Sequence, residues 1–145
     1  MQNKLELTCI YLVVKDITIS KNFYCSLLLT GVDKQFQDRW VQIKTSNNFI
    51  IGLLSADYDI NKIQQGQDLK EHYDRQFIKN LSKDYVVGNT AVINLKAHDF
   101  ESEYERIKKL YHGGISSIQY VNFMFPYSFF TVKDPDGNLI EVSNA

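Results

Sequence analysis

The chain has few cysteines, no long apolar run and no excess of basic charge, and each absence excludes a class of protein. Its two cysteines, Cys9 and Cys25, do not resemble a disulfide framework or a zinc knuckle. No apolar stretch is long enough to cross a bilayer, and residues 1–6 form no apolar signal segment. The net charge of −1 offers nothing that would attract nucleic acid. We therefore expect a cytoplasmic protein that has no nucleic-acid or membrane partner.

What the chain does have is the size and composition of one globular domain. Its 145 residues are enough to bury a core, and 44% of them are hydrophobic and 23% charged. Aromatic residues make up 13% of the chain, and many of them lie between Tyr120 and Phe130. Such a cluster more often belongs to the core than to the wall of a ligand pocket.

A pattern near the N-terminus recurs in the second half of the chain. Residues 9–16 align with residues 92–99, with Ile, Leu and Asp at the same places. Both segments alternate and are rich in β-forming residues, so each predicts a strand. Apolar residues then recur every three or four positions, which predicts a helix after each strand. The two helices are expected at about 16–28 and 99–111, with Asp16 and Asp99 as N-caps and Gly113 and Gly114 closing the second.

Three strand-like runs follow each helix. They lie at about 32–37, 39–45 and 49–54 in the first half, and at about 115–122, 127–133 and 138–143 in the second. The segment 134–138, Asp-Pro-Asp-Gly-Asn, predicts a tight turn before the last of them. The plan is a single α+β domain, 1–145, with one βαβββ module in residues 1–54 and another in 89–145. We expect the two sheets to form one curved, barrel-like cleft.

The connection between the modules, residues 55–88, is too long for a bare loop in a compact domain. Asp68 and Glu71 have the spacing of a capping box, and apolar residues follow at helical intervals. We expect a helix near 68–81. It can serve as a linker packed on the sheet, as a lid over the cleft, or as an arm on a partner subunit.

Two segments of the chain resemble a known family. Residues 11–17 with 20–24 resemble the opening strand and helix of the vicinal-oxygen-chelate superfamily, which includes glyoxalases, bleomycin resistance proteins and dioxygenases. Residues 130–142, running through the Asp-Pro-Asp-Gly-Asn turn, resemble its closing hairpin more closely. The resemblance implies paired βαβββ modules around a cleft. Many members hold a divalent metal there and use it on vicinal oxygens of a substrate, whereas others have no metal and sequester a drug.

The resemblance also implies where metal ligands would stand, and only one of these positions carries an oxygen donor. The first-strand positions fall at Cys9 and Val92, and the last-strand positions fall at Glu141 and at Ile51 or Gly52. One carboxylate and one thiol do not make a transition-metal site, so the chain resembles a member whose metal site is degenerate and we expect no cofactor. One route to a divalent metal stays open, through His72 folding over the cleft or through ligands from a second subunit. His98 and His112 do not lie at family positions.

Strand alternation assigns side chains to the two faces of each sheet. The residues expected to pack inward, under the helices, are Ile10, Leu12, Val14, Val41, Ile43, Ile93, Leu95, Ala97, Ile140 and Val142. Their neighbours face the cleft and make a mixed apolar and polar surface, and by strand position Lys96 is the nearest partner for Glu141. The predicted ligand-binding residues are Tyr11, Trp40, Gln42, Val92, Asn94, Lys96, Leu139 and Glu141, with Tyr120 or Phe129 as further candidates.

Three functions are compatible with this pattern. The first is metal-independent binding of a small planar or amphipathic molecule in the cleft. The second is a glyoxalase-like lyase or isomerase, or a dioxygenase-type enzyme, in which the catalytic residue Glu141 is a metal ligand or a general base. The third is a structural or regulatory dimer whose cleft is occluded. Family resemblance also implies a homodimer, and the modules can pair within one chain or across two.

Overall fold

The computed structural model describes residues 8–66, 72–81, 87–88, 91–110, 114–122 and 126–145. Each half of the chain forms one four-stranded mixed sheet, and the strand order is β1-β4-β3-β2 in the first and β5-β8-β7-β6 in the second. In each sheet the outer pair β1–β4 or β5–β8 is parallel and the other pairs are antiparallel. The elements are β1 (Ile10–Val14), α1 (Ile17–Leu28), β2 (Val32–Phe36), β3 (Trp40–Lys44), β4 (Ile50–Ser55), α2 (Tyr58–Gln65), α3 (Arg75–Asn80), β5 (Val92–Lys96), α4 (Phe100–Leu110), β6 (Gln119–Asn122), β7 (Pro126–Lys133) and β8 (Leu139–Ser143).

Both module helices begin where their capping aspartates predict. The Asp16 carboxylate accepts a hydrogen bond of 2.9 Å from the backbone N–H of Ile19, and the Asp99 carboxylate accepts one of 3.3 Å from Ser102. These bonds satisfy amides that have no partner within the first turn of a helix. Apart from β6, the strands that follow the two module helices start and end within one residue of the expected ranges, and β1 and β5 end two and three residues before the repeat segments do. Strand β6 begins only at Gln119, and Ile115 makes an isolated bridge to Val132.

The two modules share one hydrophobic core. It takes residues from both sheets and both module helices, and Phe130 packs against the rings of Phe100 and Tyr104. The inward-facing assignment holds for nine of the ten expected residues. Seven are buried, Ile93 and Leu95 are half-buried against the core, and only Ile10 fails, with 45% of its surface exposed. Ile10 opens an edge strand and has a neighbouring strand on one side only among the described residues, so part of its surface stays exposed.

The turn at 134–138 fastens the second module to the first. The Tyr24 hydroxyl, on α1, donates a 2.7 Å hydrogen bond to Asp134, and both residues are buried. The Ser20 hydroxyl and the Lys15 backbone N–H donate to the carboxylate of Asp136 at 3.2 and 3.1 Å. The closing turn that carries the family resemblance therefore also holds the modules together.

A second tie joins the two module helices. The guanidinium of Arg106, on α4, donates to the carbonyls of Ser26 and Leu27 at 3.1 and 2.7 Å, and Glu103 holds it in place. These carbonyls belong to the last turn of α1, where helix carbonyls lack partners. Among the described residues, no strand pairing joins the two sheets, so β1 and β5 are both open edges.

In the part of the connection that the structure describes lie the short helices α2 and α3. The second falls inside the range expected to be helical, 68–81, but it begins at Arg75 and is capped by Asp74, which accepts a 2.7 Å bond from Phe77. The expected capping box at 68–71 and the glycine expected at 113 lie outside the described residues. Sequence patterning missed α2, which ends at Gly66 with φ of +69°. No helix in the described part of the chain is long and apolar enough to span a membrane.

Candidate functional site

The predicted cleft residues lie on the faces of the two sheets that point away from the core. Strand register aligns Tyr11 with Gly52 in the first module, and Asn94 with Glu141 at the equivalent place in the second. Tyr11, Val92, Asn94 and Lys96 are exposed, whereas Trp40, Gln42, Leu139 and Glu141 are half-buried. Their alternation is as expected, and their role in ligand binding stays a prediction. We call the surface that carries Tyr11, Trp40 and Gln42 the first outer face. We call the surface that carries Val92, Asn94, Lys96, Leu139 and Glu141 the second outer face.

On the first outer face, Trp40 lies on Gly52. A Cβ atom added to Gly52 would overlap Cη2 of the indole and would stand 2.6 Å from Cζ2 and 2.8 Å from Cβ of Tyr11. The Tyr11 and Trp40 rings meet edge to face, with centroids 5.5 Å apart. Of the two candidates on this strand, Gly52 shares the outer face with Tyr11 and Trp40, whereas Ile51 belongs to the core. That Gly52 corresponds to the family ligand position stays a prediction.

On the second outer face, Asn94 and Glu141 form a polar pair. The Asn94 side-chain amide donates a 2.9 Å hydrogen bond to Oε1 of Glu141, directly across the parallel strands β5 and β8. The expectation that Lys96 would partner Glu141 is wrong. Lys96 aligns with Ser143 instead, and it is exposed, so its ammonium group remains in water. Asn94 reaches the carboxylate because directly opposed side chains are the closest neighbours in a sheet.

The other sequence candidates divide between the two faces and elsewhere. Phe129 follows the outward alternation of β7 with Thr131, which pairs with Glu141, whereas Tyr120 aligns with Ser128 on the opposite side and is 63% exposed. The structure brings Tyr11, Trp40 and Gly52 together, and separately Asn94 and Glu141. Between these two groups the described residues make no hydrogen bond or ring contact.

The positions where the family resemblance implies metal ligands do not form a metal site among the described residues. Cys9 is half-buried just before β1, Val92 is exposed and has no donor atom, Gly52 has no side chain, and Glu141 is bonded to Asn94. Within the described ranges, no three His, Cys, Asp or Glu side chains are grouped so that they could hold a metal ion. His72 lies beside Tyr73 in the connection, with ring centroids 6.3 Å apart, and not at Glu141. His98 is exposed, and His112 lies outside the described residues.

Sequence reasoning missed a cavity of about 500 Å³ at the turn between β2 and β3, where the connection covers the sheet. Its walls come from the hairpin, α2 and the residues around the start of α3. We call it the hairpin cavity. It is lined by Phe36, Gln37, Arg39, Tyr58, Lys62, His72, Tyr73, Asp74 and Phe77.

A buried carboxylate organises the hairpin cavity. Asp59, which is 4% exposed, accepts two hydrogen bonds from Arg39 at 2.8 and 3.1 Å and a third from the Tyr73 hydroxyl at 2.6 Å. Hydrogen bonding to Asp59 raises the pKa of Arg39 above its usual value. Burial, followed by the bond to Asp59, raises the pKa of Tyr73 to about 12. No spacing in the sequence announces this cluster, because its members lie 14 and 20 residues from Asp59.

Comparison with solved structures places this architecture among known folds. A glyoxalase/bleomycin resistance protein/dioxygenase from Nocardioides superposes with a TM-score of 0.66 at 14% identity, over 99% of this chain and 85% of that one. A lactoylglutathione lyase from Agrobacterium tumefaciens gives 0.63 at 15% identity, over 95% and 92%. A bleomycin-binding protein in complex with bleomycin gives 0.58 at 14% identity, over 97% and 99%.

Sequence comparison adds nothing to this likeness, since no family model and no curated protein matches the chain. The structural likeness covers almost the whole chain and includes both modules. It confirms the fold that the internal repeat and the closing hairpin predict. The chain has the glyoxalase/bleomycin resistance protein/dioxygenase fold.

Proposed function

We propose that this protein binds a small planar or amphipathic molecule, without the help of a metal, between a first outer face and a second outer face. The observation that carries the proposal is the packing of Trp40 on Gly52. At a position where the family resemblance implies a metal ligand, this chain has a glycine covered by an indole ring. The ring leaves no room for a donor side chain and offers a flat apolar surface instead.

The donor chemistry supports metal independence. Of the four family positions, only Glu141 carries a carboxylate, and it is already paired with Asn94. Val92 and Gly52 contribute no side-chain donor, and the thiol of Cys9 is the remaining candidate. A stable transition-metal site in a protein has three or four protein ligands of matched type, which this set does not supply.

The two faces together have the composition of a small-molecule site. Such sites combine apolar and aromatic walls with a few polar groups that orient the ligand. Tyr11 and Trp40 offer the aromatic surface. The bond between Asn94 and Glu141 uses one amide N–H and one carboxylate oxygen, so each side chain has a further polar atom to offer a ligand. The likeness in fold to a bleomycin-binding protein supports the same reading.

A second copy of the chain would complete the site. Both β1 and β5 are open edges, and Ile10, Tyr11 and Val92 along them are 45%, 54% and 59% exposed. Open strand edges with exposed apolar residues are surfaces that pair with another strand. A homodimer in which β1 of one chain meets β5 of the other brings the first outer face of one copy beside the second outer face of its partner.

The single tryptophan makes binding directly measurable. Trp40 is the only indole in the chain, so its fluorescence reports on the first outer face alone. We expect bleomycin, or a planar compound from an aromatic panel, to quench this emission saturably in chelator-treated protein. Glu141→Ala should weaken the binding, and Tyr120→Ala, which alters an exposed aromatic away from both outer faces, should not. A stoichiometric transition metal in purified protein that disappears in Glu141→Ala would contradict the proposal.

Mixing two variants tests whether the site spans two chains. The Trp40→Ala variant has no tryptophan fluorescence. The Glu141→Ala variant keeps this fluorescence but is expected to bind the ligand weakly. In a mixed dimer, the Trp40 of the Glu141→Ala chain faces an intact Glu141 from the Trp40→Ala chain. Excess Trp40→Ala protein should therefore restore ligand quenching in the Glu141→Ala chain. If mixing restores nothing although the chains exchange, the faces pair within one chain.

A further inference from the structure

The hairpin cavity is a concave surface separate from the two outer faces. Its volume of about 500 Å³ lies within the range of small-molecule pockets, roughly 300–1,000 Å³. None of its lining residues belongs to the predicted cleft set, although Phe36 aligns with Trp40 in the neighbouring strand. The cavity is therefore a separate candidate site.

The cavity is preformed by a buried clamp. Asp59 on α2 holds Arg39 from the hairpin with two hydrogen bonds, and it holds Tyr73 from the segment before α3 with a third. The Tyr58 hydroxyl also donates to the side-chain oxygen of Gln37. Three separate segments are thus fixed in relation to one another before any ligand arrives. Preorganisation of this kind lowers the entropic cost of binding.

The walls of the cavity are aromatic. Tyr73 and Phe77 lie nearly parallel, with centroids 5.2 Å apart and an angle of 16° between their planes. Phe36 and Phe77 are 55% and 38% exposed, which is high for large apolar rings. Exposed rings around a concavity offer flat surfaces on which another planar group can stack.

One of the two cations that line the cavity has no acidic partner among the described residues. The guanidinium of Arg39 is matched by Asp59, and the carboxylate of Asp74 caps α3 through the N–H of Phe77. Lys62, in the last turn of α2, is half-buried and makes no ion pair with any residue in the described ranges. As far as the described residues show, its ammonium group is available to a ligand. An unmatched, half-buried lysine attracts an anionic group more strongly than a fully solvated one.

We propose that the hairpin cavity binds a flat aromatic carboxylate of one or two rings, independently of the outer faces. The ring stacks against Phe36, Tyr73 and Phe77, and the carboxylate pairs with Lys62. The site does not depend on the cleft, so either proposal can fail without the other.

Titration with 2-naphthoate, followed by calorimetry, tests the site. The neutral probe 2-naphthalenemethanol has the same rings and lacks the charge. We expect 2-naphthoate to bind more tightly than the alcohol in wild-type protein. Lys62→Gln should weaken 2-naphthoate about five-fold and should leave the alcohol unchanged, in line with one partly exposed ion pair. Phe77→Ala should weaken both probes by about ten-fold, as the loss of an aromatic contact does.

Matched variants separate this site from other surfaces. Lys44→Gln removes an exposed lysine from β3, away from the cavity, and should leave the affinity unchanged. Glu141→Ala tests the second outer face and should also leave it unchanged. If Lys62→Gln and Lys44→Gln weaken the binding of 2-naphthoate equally, the effect comes from the overall charge of the protein. That result would overturn the proposal. Absence of 2-naphthoate binding to wild-type protein, or its loss in Glu141→Ala, would overturn it as well. Circular dichroism and melting curves confirm that each variant is folded.

Discussion

The two outer faces share one backbone register and differ in chemistry. In the first module the pair Tyr11 and Gly52 supports the Trp40 ring, whereas the equivalent pair in the second module is Asn94 and Glu141. One outer face is aromatic and closed to a further side chain, and the other carries a polar pair that touches solvent. The two modules therefore share a backbone plan although their outer faces differ in chemistry.

Placing a carboxylate on the first outer face should have the largest effect. Gly52→Glu places a side chain where the indole of Trp40 already lies, so either the ring or the strand must move. We expect the free energy of unfolding to fall by about 3 kcal/mol, the upper end for overpacking. Urea denaturation measures it. Gly31→Glu is the matched control, because nothing lies within 4 Å of a Cβ atom at Gly31.

The clash with Trp40 can be isolated by a double-mutant cycle. In a Trp40→Ala background, Gly52→Glu should cost much less than in wild type, since the obstructing ring is gone. An equal cost in both backgrounds would mean that the glycine is required for the backbone of β4 and not for the indole. Gly52 and Glu141 would then occupy corresponding positions in the strand register, but the packing of Trp40 would not explain why the first is a glycine.

The bond that fixes the two modules to each other should give the next largest effect. Tyr24→Phe removes the hydroxyl that donates to Asp134, and it leaves a buried carboxylate with one donor fewer. We expect a loss of about 2 kcal/mol in unfolding free energy, typical of a buried hydrogen bond to a charged group. Tyr120→Phe, which changes an exposed tyrosine, should stay within about 0.5 kcal/mol of wild type.

The same bond should make stability depend on alkaline pH. Burial, and then the charge of Asp134, raise the pKa of Tyr24 well above its ordinary value of 10.0. Above pH 10.0 the unfolded chain therefore releases a proton that the folded chain retains. The stabilisation is complete below this pH and declines as pH rises towards the folded pKa. The difference in unfolding free energy between wild type and Tyr24→Phe should therefore become smaller above pH 10.0. A difference that stays constant with pH would contradict this role of the Tyr24 hydroxyl.

Local patterns in the sequence predicted the backbone well. Asp16 and Asp99 mark the helix starts because capping is a contact over three residues, and alternation sorts Leu12 from Tyr11 because successive strand residues face opposite sides. The internal repeat extended both conclusions to the second module. These features depend on neighbours in the chain, so the sequence contains them directly.

Partners that are distant in the chain were not predictable in the same way. Asn94 and Lys96 stand on the same face of β5, and only the register with β8 decides which of them reaches Glu141. The bond between Asp59 and Arg39 joins an unrecognised helix to a hairpin turn, so the hairpin cavity had no signal in the pattern. The packing of Trp40 on Gly52 likewise depends on strands that meet only in the fold.

The polar pair of the second outer face should contribute the smallest effect on stability. Asn94→Ala removes the donor to Glu141, and both residues touch solvent, so we expect a loss of about 1 kcal/mol in unfolding free energy. Lys96→Ala alters the neighbouring residue on the same face and should stay within about 0.5 kcal/mol. Urea denaturation of the two variants side by side distinguishes the bonded residue from the solvated one. A larger loss for Lys96→Ala would mean that an ion pair, and not the amide, orients Glu141, and the division of chemistry between the two faces would have to be redrawn.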